Sequence, residues 1–334
     1  MRPLVHPALS QVWRDTTTVQ IGLDPMRAIV VAGLGPVDAT VFRALDGAHD
    51  ERALRDAARH AGGDPSSADR LIQILHAGGV LVDGDVTHPT DLDDVLAPDQ
   101  ASLGLLTGAP DGGTAAAEAR RRKHVEVRGA GRVGAVVARL LAAAGVGTVT
   151  ADDDARITSG DLAPGGHDRR DLGRSRAAAL DESLPDRADD SPHRPDLVVL
   201  TPSRGTGRDD AMALLRLGVA HLVARVVETT GVVGPLVLPG RSSCLRCHDL
   251  HRADRDPAWP RVLAQADSQP PGVAACDVTL ATQVAALAAQ QVLAHVDGFT
   301  PAALDGTVEI RLPYGLPRRR GWRPHPACGC TWAA

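Results

Sequence analysis

The apolar positions along this chain follow two rhythms. Between residues 11 and 31 they alternate in short extended pieces, at 12–14, 18–21 and 28–31, with Gly22 and Asp24-Pro25 marking the turn between the last two. Helical spacing then takes over. Residues 37–45 set Val41, Ala44 and Leu45 on one face, 50–61 set Leu54, Ala57, Ala58 and Ala61, and 66–76 set Leu71, Ile74 and Leu75. Asp64-Pro65-Ser66 supplies a cap and a helix-starting proline, Gly78-Gly79 stops that helix, and 80–82 forms a last short strand. Short strands, three helices and a closing strand predict a small winged-helix-like α+β domain over residues 1–84. Residues 85–122 predict a linker with one apolar packing segment at 103–106 and a lead-in helix, AAAEARRRK, whose basic residues face solvent or close its C-terminus.

From residue 123 to 334 the pattern predicts a larger α/β domain. The stretch 124–154, HVEVRGAGRVGAVVARLLAAAGVGTVTADDD, reads as strand, glycine turn, helix and a second strand ending in acid. Val125 and Val127 alternate on the entering strand. Gly129, Gly131 and Gly134 spell GxGxxG, and Val133, Val136, Val137, Leu140, Leu141 and Ala144 make a helical stripe. Asp152 ends the second strand about 20 residues after the turn, where an acid can hold a ribose hydroxyl. Glycine lets backbone N–H groups approach phosphates at a helix N-terminus, and it equally allows tight helix–strand packing with no ligand. Downstream, 196–201, 221–228, 231–238 and 307–312 predict strands, and 207–217 and 276–296 predict helices.

Composition narrows the picture. Two Phe, one Tyr and four Trp in 334 residues leave a core of Val, Leu and Ala. A formal charge of −5 gives no field toward nucleic acid or an anionic membrane. The third helix offers only Arg70 and His76 as basic contacts, too few for DNA. No apolar run approaches the roughly 18 residues of a membrane span, and the N-terminus lacks a signal-peptide core. A cytoplasmic setting is expected, so the five cysteines need a reducing-compartment explanation. Cys244-x-x-Cys247 and Cys328-Gly-Cys330 suit a closed, four-thiolate structural zinc site. A redox CxxC or two disulfides are the alternatives, with His248, His251 and His325 as substitute ligands. Cys276 opens the helix at 276–296, where a helix N-terminus would activate a thiol, although the surrounding Ala and Val suit a packed residue. Residues 249–256 suggest an exposed helix start, and 318–323, RRRGWR, a solvated approach to the second knuckle. There is no Ser-His-Asp or metalloprotease spacing.

Two resemblances follow. QIGLDPMRAIVVAGL, LDGAHDERAL and LIQILHAGGVLVD together resemble the PqqD-like element that recognises leader peptides of ribosomally made products. In that family the leader lies between the last sheet strand and the third helix. That implies Arg27, Ile29, Val31, Arg70 and Ile74 as peptide contacts here. GAGRVG, AAAGVGTVTADDD and GPLVLPGRSSCLRC resemble the ThiF/MoeB/HesA group over residues 123–330, a Rossmann-like fold with a zinc knuckle. The resemblance implies ATP and magnesium, adenylation of a peptide C-terminal carboxylate, and Gly129, Gly131, Arg132, Gly134, Asp152 and Arg176 at the nucleotide. An NAD-dependent dehydrogenase and the NAD-sensing domain of potassium-channel regulators use a similar turn. Departures from the ThiF pattern imply a degenerate ATP site. Ser159-Gly160-Asp161-Leu162-Ala163-Pro164 stands where that group has Asn and Arg-Gln. Arg176 replaces a lysine, Thr201-Pro202-Ser203 replaces a magnesium-holding acid, and Arg132 replaces a glycine. The combination resembles the ThiF-like partner of azoline-forming cyclodehydratases. This implies a chain that grips a precursor leader for a separate YcaO-type protein and pairs as a homodimer. A working adenylyltransferase acting on a sulfur carrier or peptide is the alternative.

Overall fold

The computed structural model describes residues 1–85, 94–185, 194–203, 205–267 and 274–331. It divides into two compact units, Met1–Ala119 and Arg120–Ala334. The linker stretch 86–93 and the stretch 186–193, within the span between Leu184 and Pro195 where the sequence lacks the apolar run of a third strand, lie outside the described residues.

The first unit contains β1 (Pro3–Val5), β2 (Gln11–Trp13), β3 (Val19–Ile21), β4 (Ile29–Val31), α1 (Pro36–Arg43), α2 (Glu51–His60), α3 (Ser66–Ala77), β5 (Leu81–Asp83) and α4 (Ala97–Thr107). β2, β3 and β4 form an antiparallel sheet in that order, and β1 pairs with β5. Register sorts the side chains. Val12, Gln20 and Val30 line up on one face, while Val19, Ile21 and Val31 turn into a core with Val41, Phe42, Leu54, Leu71 and Leu75. The Asp50 carboxylate accepts the Ala53 N–H at 2.7 Å to start α2, a cap worth about 1 kcal/mol. Two elements differ from the sequence reading. β1 carries too short an alternation to register, and its partner is at the far end of the unit. The packing segment at 103–106 is part of a full helix, α4, ended by Gly108 at φ +62°.

The second unit opens with α5 (Thr114–Arg121), which straddles the division, then β6 (His124–Arg128), α6 (Gly134–Ala143), β7 (Thr148–Asp152), α7 (Arg176–Asp181), β8 (Leu197–Leu200), α8 (Arg208–Arg216), β9 (His221–Val227) and β10 (Thr230–Val237). α9 (Leu245–Ala253), α10 (Trp259–Asp267), α11 (Val278–Val296), β11 (Gly306–Arg311) and β12 (Pro317–Gly321) complete it. One seven-stranded mixed sheet runs β12-β11-β10-β9-β8-β6-β7. β7, β6, β8 and β9 are parallel and the rest antiparallel. β8 is covered on both faces, so its run LVVL is continuously apolar. Leu197 and Val199 join the α6–α11 core, and Val198 and Leu200 join the α8 side. α11 can lie close because its sheet-facing residues are mostly Ala, with Val284 against Gly231.

Three expectations are corrected here. Residues 318–321 form most of edge strand β12, because their backbone completes the sheet beside β11. Residues 249–253 are the second half of α9 and not a helix start; that helix begins directly at the first cysteine knuckle. Cys276 precedes α11, whose first N–H groups are capped by the Asp277 carboxylate.

Candidate functional site

β6 is where the strand order reverses, with β7 on one side and β8 on the other. In parallel sheets the crevice at such a switch point is the usual ligand site. The glycine turn leaves β6 here. Gly129 takes φ +90°, and a Cβ on it would overlap the Thr201 carbonyl oxygen. A Cβ on Gly134 would overlap the carbonyl oxygen of Gly129 and crowd the Thr201 hydroxyl, which donates to that same oxygen. Both glycines are thus required by packing between α6, β6 and β8 alone.

Several polar groups of the turn are engaged with one another. The Ala130 N–H donates to Asp153 Oδ2 at 2.7 Å. Arg176, at the start of α7, reaches Asp153 at 3.0 Å and Asp161 at 2.7 Å, with all three side chains nearly buried. The buried His167 imidazole lies 2.8 Å from the Ala130 carbonyl oxygen, which its Nε2–H meets as donor. Burial alone would raise the Asp161 pKa, but bonds from the Thr158 N–H, the Arg176 guanidinium and the Thr158 hydroxyl outweigh it and hold the carboxyl below its usual range. Asp152, the acid singled out by spacing, is exposed and only 3.9 Å from the Arg128 guanidinium. Asp153, Asp161 and His167 were missed as participants. Strand alternation offered the one usable signal, since the residue after Asp152 must turn the opposite way.

Beside the turn lies a cavity of about 380 Å³ lined by Arg132, Asp161, Arg176, Thr201, Arg225 and Cys276, among others. Arg132 donates to the Cys276 carbonyl at 2.6 Å. Burial pushes the Cys276 thiol pKa up, the opposite of an activated nucleophile. Gly131, Arg132 and Arg176 therefore line one cavity, while Gly129 and Asp152 line a neighbouring one with Asp153. The turn carries its own counter-charges. The Ala130 N–H is capped by the Asp153 carboxylate, and the Arg176 guanidinium is paired with both Asp153 and Asp161.

The cysteines tell a different story. Cys244 occupies the N-cap position of α9 and Cys247 sits in its first turn, where helix N–H groups favour thiolates. The loop after β12 brings Cys328 and Cys330 to them. Sγ separations are 3.9 Å for Cys244–Cys247, 3.6 Å for Cys244–Cys328 and 3.3 Å for Cys247–Cys330, and all four sulfurs lie within 4.8 Å of one another. A tetrahedron with metal–sulfur bonds near 2.3 Å has edges of about 3.8 Å. The donor set and spacing fit a metal ion. Cys247 ionises first, pulled to about 4 mainly by the Cys244 thiol that donates to it, while burial first and Cys247 second push Cys330 to about 12.

In the first unit, β4 is an edge strand and α3 runs close to it; a Cβ on Gly78, just past α3, would sit 2.9 Å from Ile29 Cδ1. Val30 and Ile74 are 46% and 47% exposed. Val31 is buried in the core. Arg27 donates to the Leu105 carbonyl of α4 at 2.6 Å, and exposed Arg70 lies 3.9 Å from Asp38.

Residues 106–192 match the sequence model of the ThiF family. No curated protein sequence matches the chain. Among solved structures, E. coli MccB with succinimide superposes at a TM-score of 0.76 with 14% identity, covering 99% of each chain. The microcin C7 biosynthetic enzyme MccB in complex with N-formylated MccA gives 0.72 at 14% identity, covering 98% of this chain and 99% of that one. MccB has also been solved with ATP, at 0.72 and 15% identity, covering 98% of this chain and 99% of that one. The heterocyclase TruD gives 0.64 at 15% identity, covering 98% of this chain but 42% of its own. At these identities the likeness is one of fold. No helix among the described residues is long and apolar enough to cross a membrane.

Proposed function

We propose that this chain, which carries a ThiF-type domain, binds the leader of a ribosomal precursor peptide and presents the peptide to a separate YcaO-type cyclodehydratase. The observation that carries the reading is edge strand β4 beside α3, with Val30 and Ile74 exposed next to it. An extended peptide can add to such an edge through main-chain hydrogen bonds, with side-chain pockets giving specificity. Full-length likeness to MccB, a protein solved in complex with N-formylated MccA, is compatible with the same use. The heterocyclase match supports a division of labour, because more than half of that chain lies beyond the shared part. The four cysteines hold a structural zinc, and the chain acts as a homodimer.

Within this reading Ile29, Val30 and Ile74 contact the leader, and Arg27 and Arg70 flank it. Val31 contributes backbone only, since its side chain is in the core. The second unit contributes a rigid platform without nucleotide turnover. Selection of displayed random 20-mers against the pure protein tests the proposal. It should enrich extended apolar sequences that bind the wild type and lose binding to Val30→Asp and Ile74→Asp. Enrichment of peptides indifferent to both substitutions would sink it.

A second reading, ATP-dependent adenylation of a peptide carboxylate, is favoured by one observation. Arg132 and Arg225 line the cavity beside the turn, and the Nε atoms of Arg132 and Arg176 are buried without a partner among the described residues. An anion there would meet positive charge once Asp153 and Asp161 released Arg176. Titration with magnesium-ATP separates the two readings: micromolar binding and pyrophosphate exchange favour adenylation, and silence favours presentation.

A further inference from the structure

We infer that the second half of α9 and the segment before Cys328 form a separate metal site from His251, Asp254 and His325. It takes one borderline divalent cation, such as nickel, zinc or copper. One ligand atom from each residue lies within 4.8 Å of the other two. The site shares no ligand with the cysteine cluster and does not rest on the peptide-binding reading.

The local architecture brings the three together. His251 and Asp254 stand three apart at the end of α9, so they share a face. His325 reaches them from the loop after β12, and the two imidazoles meet edge to face at 4.7 Å between centroids. The Arg323 carbonyl can only accept, so the His251 nitrogen 2.9 Å from it, Nε2, carries the proton and leaves Nδ1 its lone pair. Imidazoles that bind metals are typically held this way, by a carbonyl on the far nitrogen. His325 Nε2 meets the Asp254 carboxylate at 2.9 Å, and its Nδ1 accepts the Ala327 N–H at 3.1 Å. A cation at Nε2 takes the place of that ring proton. The proton passes to Nδ1, the Ala327 bond is given up, and the Asp254 oxygen coordinates instead of accepting a hydrogen bond.

The donor set fixes the class of metal. Two imidazoles and one carboxylate suit the borderline first-row ions, whereas calcium and magnesium call for oxygen donors. Three protein ligands leave coordination positions to water. Asp254 is exposed, so the cation is held more loosely than one gripped by four thiolates. Bound metal would fasten α9 to the tail segment at a second point.

The test uses the tag-free full chain with its zinc in place, stripped of loose metal on chelating resin and titrated with nickel. The wild type should take up one nickel per chain at micromolar metal. His325→Ala and Asp254→Asn should each weaken uptake at least tenfold with zinc content and thermal unfolding unchanged. Asp254→Asn, at an exposed position, carries the test should His325→Ala fail to fold. Cobalt in the same site should show weak d–d bands without sulfur-to-metal charge transfer. No uptake by the wild type, unchanged uptake in the Asp254 variant, or a thiolate charge-transfer band from the second cobalt would overturn the inference.

Discussion

The glycine turn and the cysteine cluster are the two chemically dense places in the second unit, and they are satisfied in opposite ways. At the turn the chain answers its own demands. One N–H finds Asp153, and one guanidinium finds two carboxylates. At the knuckle four sulfurs from distant segments converge, and thiols are weak hydrogen-bonding partners for one another. Only a cation makes use of all four. A guanidinium between two carboxylates is largely neutralised by the chain itself, whereas a buried cluster of like donors is not. That difference separates a turn with its own counter-charges from a cysteine cluster whose spacing fits a metal ion.

The largest effect should come from the knuckle. Replacing Cys247 with Ser, or stripping metal with a strong chelator, removes a binding energy of about 10 kcal/mol in small zinc modules. The second unit should lose cooperative thermal unfolding, and elemental analysis should find less than one zinc per chain. Retained zinc and an unchanged melt would break the comparison. Next comes the turn. Arg176→Met strands two nearly buried carboxylates and should cost about 3–5 kcal/mol in denaturant unfolding. Double replacement with Asp153→Asn and Asp161→Asn should recover most of that loss.

A smaller effect is expected at the leader face. Val30→Asp or Ile74→Asp should weaken peptide binding about tenfold, near 1.4 kcal/mol, with the melt unchanged. Smaller still is a pH effect at the turn. The folded pKa of Asp161 lies below its unfolded value of about 3.9, so its contribution is complete above that pH and disappears as pH falls through the depressed folded value. Acid unfolding curves of the wild type and Asp161→Asn should converge there. Last, Asp152→Ala should change stability by no more than about 0.5 kcal/mol, as for an ordinary surface position. ATP binding by the wild type that this substitution abolishes would show the turn to be less self-sufficient than its hydrogen bonds indicate.

Much of this was legible from residue spacing. The βαβ unit is long and strongly periodic, so its strands and helix are written in the apolar pattern. The paired cysteines announce each other by type and spacing. What stayed hidden was set by distance along the chain. β1 finds β5 across the whole first unit, and β12 is an arginine-rich edge whose backbone, not its side chains, makes it a strand. The role of Asp153 as cap of the Ala130 N–H stayed hidden because alternation, which turns it the opposite way from Asp152, is weak at a strand end. Asp161 and Arg176 could be flagged as departures from a pattern, but their mutual neutralisation depends on a loop returning to the turn.

The overlap of a Cβ at Gly134 with the Gly129 carbonyl has a consequence for how such sequences are read. The charged residues around a pocket can be exchanged one at a time, each at the cost of a single contact. The glycines cannot, because any side chain would force α6 away from β6 and open the core behind it. What the fingerprint reports, letter by letter, is how near two pieces of backbone must pass.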